Sequence, residues 1–249
     1  MNSEKIGTAM DSSEVSPNSS PVAATDDLQR ASDPALTEDL ALAFLKQQDL
    51  ASDAIEQLAR NSAATKSRRV RFALAAHPHT PRHISLKLVR EFYTIDLMQY
   101  ALTPGVAADL KHAADEILVA RLASITLGER ISLARRGSES VAAALLLDKE
   151  SRVWQTALEN SRLTEAAVVR TLVRPNASAA LVEAVCHHAK WSLRHEVRMA
   201  LLRNGKTPLA RALEFARALP PAQLRDILHS SRLPEKVKVY LRMDLEARR

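Results

Sequence analysis

The sequence predicts an all-α fold built from a repeated pair of short helices, and three observations carry that prediction. Ala, Leu, Arg and Glu are abundant in a chain of 249 residues in which only 4% are aromatic and only five are glycine. Those are good helix formers, whereas strands favour β-branched and aromatic residues. The stretch Val70-Arg71-Phe72-Ala73-Leu74-Ala75-Ala76-His77-Pro78-His79-Thr80-Pro81 returns without a gap as Val197-Arg198-Met199-Ala200-Leu201-Leu202-Arg203-Asn204-Gly205-Lys206-Thr207-Pro208. Hydrophobic residues make up 46% of the chain, enough for one sizeable core or for a continuous core shared along a stack.

Residues 1–36 are rich in Ser, Pro, Asp and Ala, as in Ser12-Ser13, Ser16-Pro17 and Ser19-Ser20-Pro21. They lack apolar periodicity, so they are expected to form a disordered acidic leader that cannot bury enough surface to offset its ordering entropy. Residues 37–249 are expected to form a single helical repeat domain. Thr37 suits the N-cap of its first helix, with Glu38 and Asp39 in the first turn where negative charge complements the helix dipole. Leu40, Leu42, Phe44 and Leu45 begin the apolar stripe, and a second helix carries Ile55 and Leu58 up to about Arg60.

Weaker copies of the repeat follow the same frame. One runs from Asp96 through Tyr100 and Pro104 to Leu110, and another holds Ile131, Leu133, Ala134, Arg136, Gly137 and Ser140, then Ala143 and Leu147. A third has Val153, Ala157, Leu158, Asn160, Thr164 and Val168; the last has Ile227, Leu228, Leu233, Pro234, Val237 and Leu241. In each, small and apolar residues form one helix face, and His, Asn, Thr or Arg followed by Pro or Gly ends the helix. Thr80-Pro81 and Thr207-Pro208 then read as the start of a second helix, with Thr as N-cap and Pro in the first helical position. A short helix pair cannot bury its face alone, but stacked neighbours can.

Residues Val70 to Pro81 and Val197 to Pro208 resemble the HEAT-like bacterial helical repeats, in particular leucine-rich repeat variant repeats. Their pattern is an apolar-Arg-x-Ala-apolar-Ala helix, an Asn-Pro-x-Thr-Pro turn and a second short helix. Arg130 to Leu172 is similar to other bacterial helical-repeat domains. The resemblance extends over roughly residues 60–245 and implies a right-handed α-solenoid. It departs from the pattern in uneven spacing, with a long insertion around Arg174–Leu193. Some family members carry an N-terminal cysteine-ligated iron–sulfur cluster, which does not carry over because Cys186 is the only cysteine.

Charge is unevenly distributed. Residues 1–60 hold four Lys/Arg and eleven Asp/Glu, whereas the rest of the chain holds 31 Lys/Arg and 18 Asp/Glu. A basic body of this kind attracts anionic partners. Basic residues recur beside the expected turns, and Arg69, Arg71, Arg130, Arg135, Arg136, Arg152, Arg194, Arg198, Arg203 and Lys206 are the candidate partner- or anion-binding residues. In a solenoid they align as a stripe able to track phosphates or match carboxylates. The plainer reading is a solvated, ion-paired face. Arg71 and Arg198 share a repeat position and are the leading candidates, with stapling of adjacent repeats as their structural alternative.

Other chemistry is thinly represented. His77, His79 and His83 straddle one turn, and His187, His188 and His195 lie near Cys186, but turn and surface roles suit them better than metal ligation. Cys186 fits a small buried residue, and Trp154 and Trp191 fit packing positions. No Gly-rich phosphate loop, paired-His helix motif or nucleophile elbow is present, so no catalytic site, metal or cofactor is expected. No apolar run approaches the ~20 residues of a membrane span, and no secretory signal is evident, so the expected location is cytoplasmic. The leading expectation is a non-enzymatic scaffold for a protein or peptide partner, an acidic one in particular. The alternative is sequence-nonspecific nucleic-acid binding, with a HEAT-like DNA glycosylase a remote third. Neither a membrane nor a small-molecule substrate is indicated.

Overall fold

The computed structural model describes residues 21–47 and 49–247. Among them every regular element is helical: seventeen α-helices and no strand. No helix among them is long and apolar enough to cross a membrane. The chain falls into two compact units, residues 1–84 and 85–249.

The first unit holds α1 (Pro21–Ser32), α2 (Glu38–Phe44), α3 (Ser52–Arg60), the single turn α4 (Ser62–Thr65) and α5 (Arg68–Ala76); α6 (Arg82–Arg90) spans its end. Helix α1 packs on α3, and α2 on α5. Part of the leader expected to be disordered is thus the helix α1, while residues 1–20 lie outside the described residues. The reason is tertiary. Ala31 is fully buried, and the Asn61 amide donates to the carbonyls of Ala31 and Asp33 at 3.1 and 2.8 Å. Thr37 caps α2 as expected, its hydroxyl accepting from the Leu40 N–H. The buried stripe runs through Ala41, Phe44 and Leu45, however, and Leu40 is 60% exposed.

The second unit continues with α7 (Thr94–Leu102), α8 (Ala108–Arg121), α9 (Leu127–Arg136), α10 (Glu139–Leu145), α11 (Ser151–Leu158) and α12 (Glu165–Val173). Then come α13 (Ala179–His187), α14 (His195–Arg203), α15 (Leu209–Arg217), α16 (Pro221–Ser230) and α17 (Glu235–Glu246). Helices two apart in the chain pack on one another: α7 on α9, α9 on α11 and α11 on α13 in one series, and α8 on α10, α12, α14 and α16 successively in the other. Gly105, with φ of 82°, makes the left-handed turn between α7 and α8. The stretch around Arg174–Leu193 is no insertion. It contains α13, which buries Leu181, Val182, Val185 and Cys186 like any other helix of the unit.

These helices have 7 to 14 residues in this unit, too short to persist alone in water. Two devices hold them. Hydroxyl N-caps at Thr126, Ser138, Thr164 and Ser178 accept first-turn N–H groups. Thr126 and Glu129 close a full capping box, and the Thr126 backbone N–H and hydroxyl together hold the Glu129 carboxyl below the usual range. The second device is a set of turn side chains that reach a carbonyl of the preceding helix pair, 23 to 33 residues back. Asn160 donates to Ala134 and Gly137 at 2.8 and 3.2 Å, Trp191 to Leu158 at 2.9 Å and Asn204 to Leu172 at 2.7 Å.

The Thr-Pro pairs work differently from the N-cap expected of them. The Thr80 hydroxyl donates backwards to the Leu74 carbonyl, and the Thr207 hydroxyl does the same to Leu201, both at 2.6 Å. Helix α6 starts only at Arg82, and Pro208 itself occupies the N-cap position of α15 with extended dihedrals. The hydroxyl therefore closes the end of one helix rather than the start of the next. It adds a second donor to a carbonyl that already accepts the C-cap N–H, that of His77 for Leu74 and that of Asn204 for Leu201.

Candidate functional site

The ten candidate cations separate into two groups by what they touch. Arg69 is ion-paired with Glu38 at 2.9 Å. Arg71 is half-buried on α5. Its repeat counterpart Arg198 is also half-buried: its Nε donates to the Ser192 carbonyl at 2.6 Å, and its guanidinium lies 5.5 Å from the Phe215 ring centroid. Arg198 is thus tied to the protein's own backbone. Arg130 pairs at 3.1 Å with Asp148, whose side chain is only 6% exposed. Lys206 donates to the carbonyls of Pro175 and Ala177. The remaining five, Arg135, Arg136, Arg152, Arg194 and Arg203, are exposed. Arg203 lies somewhere distinctive.

Arg203 and Lys206 share a groove of about 410 Å³ with Arg174 and Arg232, and no Asp or Glu lines it. The groove sits where three alternate inter-helix turns meet, those after α12, α14 and α16. Arg174 caps the C-terminus of α12, Asn204 that of α14, and Ser231, beside Arg232, that of α16. Local bonds fix this arrangement. Asn204 ties its turn to α12 through Leu172, and its Oδ1 accepts from the Lys206 N–H at 2.9 Å. The Arg232 N–H donates to the Arg203 carbonyl at 3.1 Å. A Cβ on Gly205 would lie 2.6 Å from the Arg232 carbonyl oxygen, so this close turn-to-turn approach requires glycine.

Leu172, Val173, Pro175, Ala177 and Ala200 supply apolar lining, with Val173 60% exposed. The guanidinium groups of Arg174, Arg203 and Arg232 make no hydrogen bond or ion pair among the described residues. Residues 170–232 carry eleven Lys/Arg against four Asp/Glu, so the surroundings reinforce the local charge. Chemically the groove suits an anion with an apolar part: carboxylates or phosphates for the guanidinium forks, and an aliphatic group for the lining.

Arg174 and Arg232 were not among the sequence candidates. The signal existed, because both follow the ends of helices in the frame that places Asn204 after α14. Reading Arg174–Leu193 as an insertion hid it. The histidine groups resolve into turn roles. The His77 Nδ1 accepts from the His79 N–H, which leaves Nε2 to donate to the Gln47 carbonyl at 2.9 Å, and the His79 Nδ1 donates to the Leu50 carbonyl at 2.9 Å. His188 contacts Glu159, and His187 donates to the Glu183 carbonyl. Among the described residues no group of three or more His, Cys, Asp or Glu is placed to hold a metal ion. Cys186 is fully buried, and burial pushes its thiol up to about 11. Trp154 and Trp191 are both buried, as packing residues are.

Two buried groups near α8 are also perturbed. Burial raises the Tyr100 hydroxyl to about 12 and lifts the Asp115 carboxyl above its ordinary value, against the opposing Ser138 hydrogen bond. Against this geometry, no family model, no curated protein and no solved structure matches the chain.

Proposed function

We propose that this chain is a non-enzymatic interaction module, a right-handed α-solenoid of HEAT-like helix pairs akin to leucine-rich repeat variants. Its partner is an acidic protein segment, received in the groove ringed by Arg174, Arg203 and Arg232. The packing of each helix on the one two positions along supports the solenoid reading, as do side-chain ties recurring 23 to 33 residues apart. The observation that carries the binding proposal is the groove itself: three guanidinium groups from the ends of α12, α14 and α16, no carboxylate, and an aliphatic lining.

The lining favours a peptide over a nucleic acid. Single-stranded nucleic acids are held on aromatic stacking platforms beside basic grooves, and no aromatic residue lines this one. Leucine or valine side chains flanked by glutamates match both the lining and the rim. The test is fluorescence anisotropy with two labelled probes, a peptide of alternating Glu and Leu and an oligothymidine of equal length, titrated with the full chain at low and near-physiological salt. The proposal expects peptide binding that survives near-physiological salt, because part of it is apolar burial. Oligothymidine binding that collapses with salt, without peptide binding, would replace it with the nucleic-acid reading.

A further inference from the structure

The outer face of α17 presents a stripe with a definite charge order. Val237, Leu241 and Leu245 point inward and are buried, where α17 packs on α15 and α16. Lys236, Val239, Tyr240, Met243 and Glu246 fall on the opposite side at helical spacing, and all are exposed. Val239, Tyr240 and Met243 are 47, 43 and 58% exposed, whereas the other large apolar residues exposed among the described ones occur singly. A single exposed apolar residue needs no explanation, but a contiguous stripe does.

We infer that this stripe is a self-association surface, on which the α17 of a second copy packs antiparallel. The basis is charge complementarity. The stripe has a lysine at its N-terminal end, three apolar side chains in the middle and a glutamate at its C-terminal end. Neither Lys236 nor Glu246 has an ion-pair partner among the described residues, since Glu235 is the acceptor for both Lys238 and Arg242. Reversing one copy brings the Lys236 end of each stripe to the Glu246 end of the other and sets the apolar centres face to face. A parallel arrangement would oppose like charges. The antiparallel one also satisfies the two-fold symmetry of most homodimers, in which each ion pair occurs twice. A single helix face covers little area, so the dimer is weak and concentration-dependent.

Sedimentation equilibrium of the full chain over a wide concentration range tests this. The wild type should show a monomer–dimer equilibrium. Lys236→Glu or Glu246→Lys alone should weaken it about 5- to 10-fold, each change affecting two pairs per dimer. The double variant Lys236→Glu/Glu246→Lys should restore it, because the exchanged charges still meet, and Met243→Lys should abolish it. All three sites are exposed, so circular dichroism should report unchanged helix content. A wild type that stays monomeric throughout overturns the inference. So does a dimer insensitive to Met243→Lys, or one that the double variant does not restore.

Discussion

The side-chain amide of Asn160, at the end of α11, donates to the carbonyl oxygen of Ala134 in α9 at 2.8 Å. Its oxygen simultaneously accepts from the Arg162 N–H at 2.8 Å, so one buried side chain fixes its own turn and ties it to the preceding helix pair. Asn204 repeats the arrangement against Leu172, and Asn61 repeats it in the first unit against Ala31. Asn160 is only 1% exposed, and its loss strands three backbone groups. Asn160→Ala should therefore cost about 2–4 kcal/mol, since each unsatisfied buried group costs roughly 1–3 kcal/mol and the turn relaxes in part. Urea unfolding followed by circular dichroism measures it, and a cost under about 0.5 kcal/mol would show that the tie is dispensable.

The backward hydroxyl bond of Thr207 gives a cleaner comparison. Thr207→Val keeps the shape of the side chain and removes only the donor to Leu201, so it should cost about 1–2 kcal/mol. Thr207→Ser retains the hydroxyl and should cost less. If Thr207 were an ordinary N-cap, Asp or Asn in its place would serve equally well; here a carboxylate would face the Leu201 carbonyl, and Thr207→Asp should be the most damaging of the three.

Leu74 and Leu201, at equivalent repeat positions, are both fully buried. Replacing either with Ala should cost about 2–5 kcal/mol in thermal or urea unfolding. A much smaller loss at one would mean the two positions are not structurally equivalent.

Asp115 sets a pH dependence of definite sign. Burial raises its carboxyl above the ordinary aspartate value, so between the unfolded and folded values the folded state binds more protons than the unfolded one. Stability contributed by this group is then present at low pH and lost as pH rises through the folded value. Asp115→Asn abolishes that loss. Relative to wild type, the variant should gain stability on going from pH 4 to pH 7, as measured by urea midpoints. A variant whose difference from wild type is constant across that range would contradict the shift.

Cys186 gives a direct probe of the packing of α13. With its thiol buried and raised to about 11, it should resist a thiol-reactive dye at neutral pH in the folded protein and react fully in urea. Prompt reaction under native conditions would show that α13 opens readily.

Much of the architecture was legible in the sequence. The repeat at Val70 and Val197, the cap at Thr37 and the helix carrying Ile55 and Leu58 follow from periodicity and turn chemistry, and they recur in the structure. What was not legible depended on tertiary partners. Ser/Pro-rich composition suggested disorder up to residue 36, yet Ala31 and the Asn61 bonds anchor α1. Thr-Pro looks identical whether its hydroxyl caps the next helix or closes the previous one; only the position of Leu201 decides. The site suffered most from this. Arg198, which matched the motif best, bonds to the protein's own Ser192 carbonyl, whereas Arg174 and Arg232 line the groove.

Selection of an acidic peptide by the groove is distinct from attraction to the overall positive charge. Two triple variants separate these: Arg174→Glu/Arg203→Glu/Arg232→Glu in the groove, and Arg135→Glu/Arg136→Glu/Arg152→Glu on exposed positions elsewhere in the same unit. Both make the same change in net charge. Anisotropy of the labelled Glu–Leu peptide should show affinity falling about tenfold or more for the groove variant and by no more than about two- to threefold for the other, because direct pairs outweigh screened distant charges. Equal losses in the two variants would rule out selection by the groove and leave only nonspecific attraction to a basic surface.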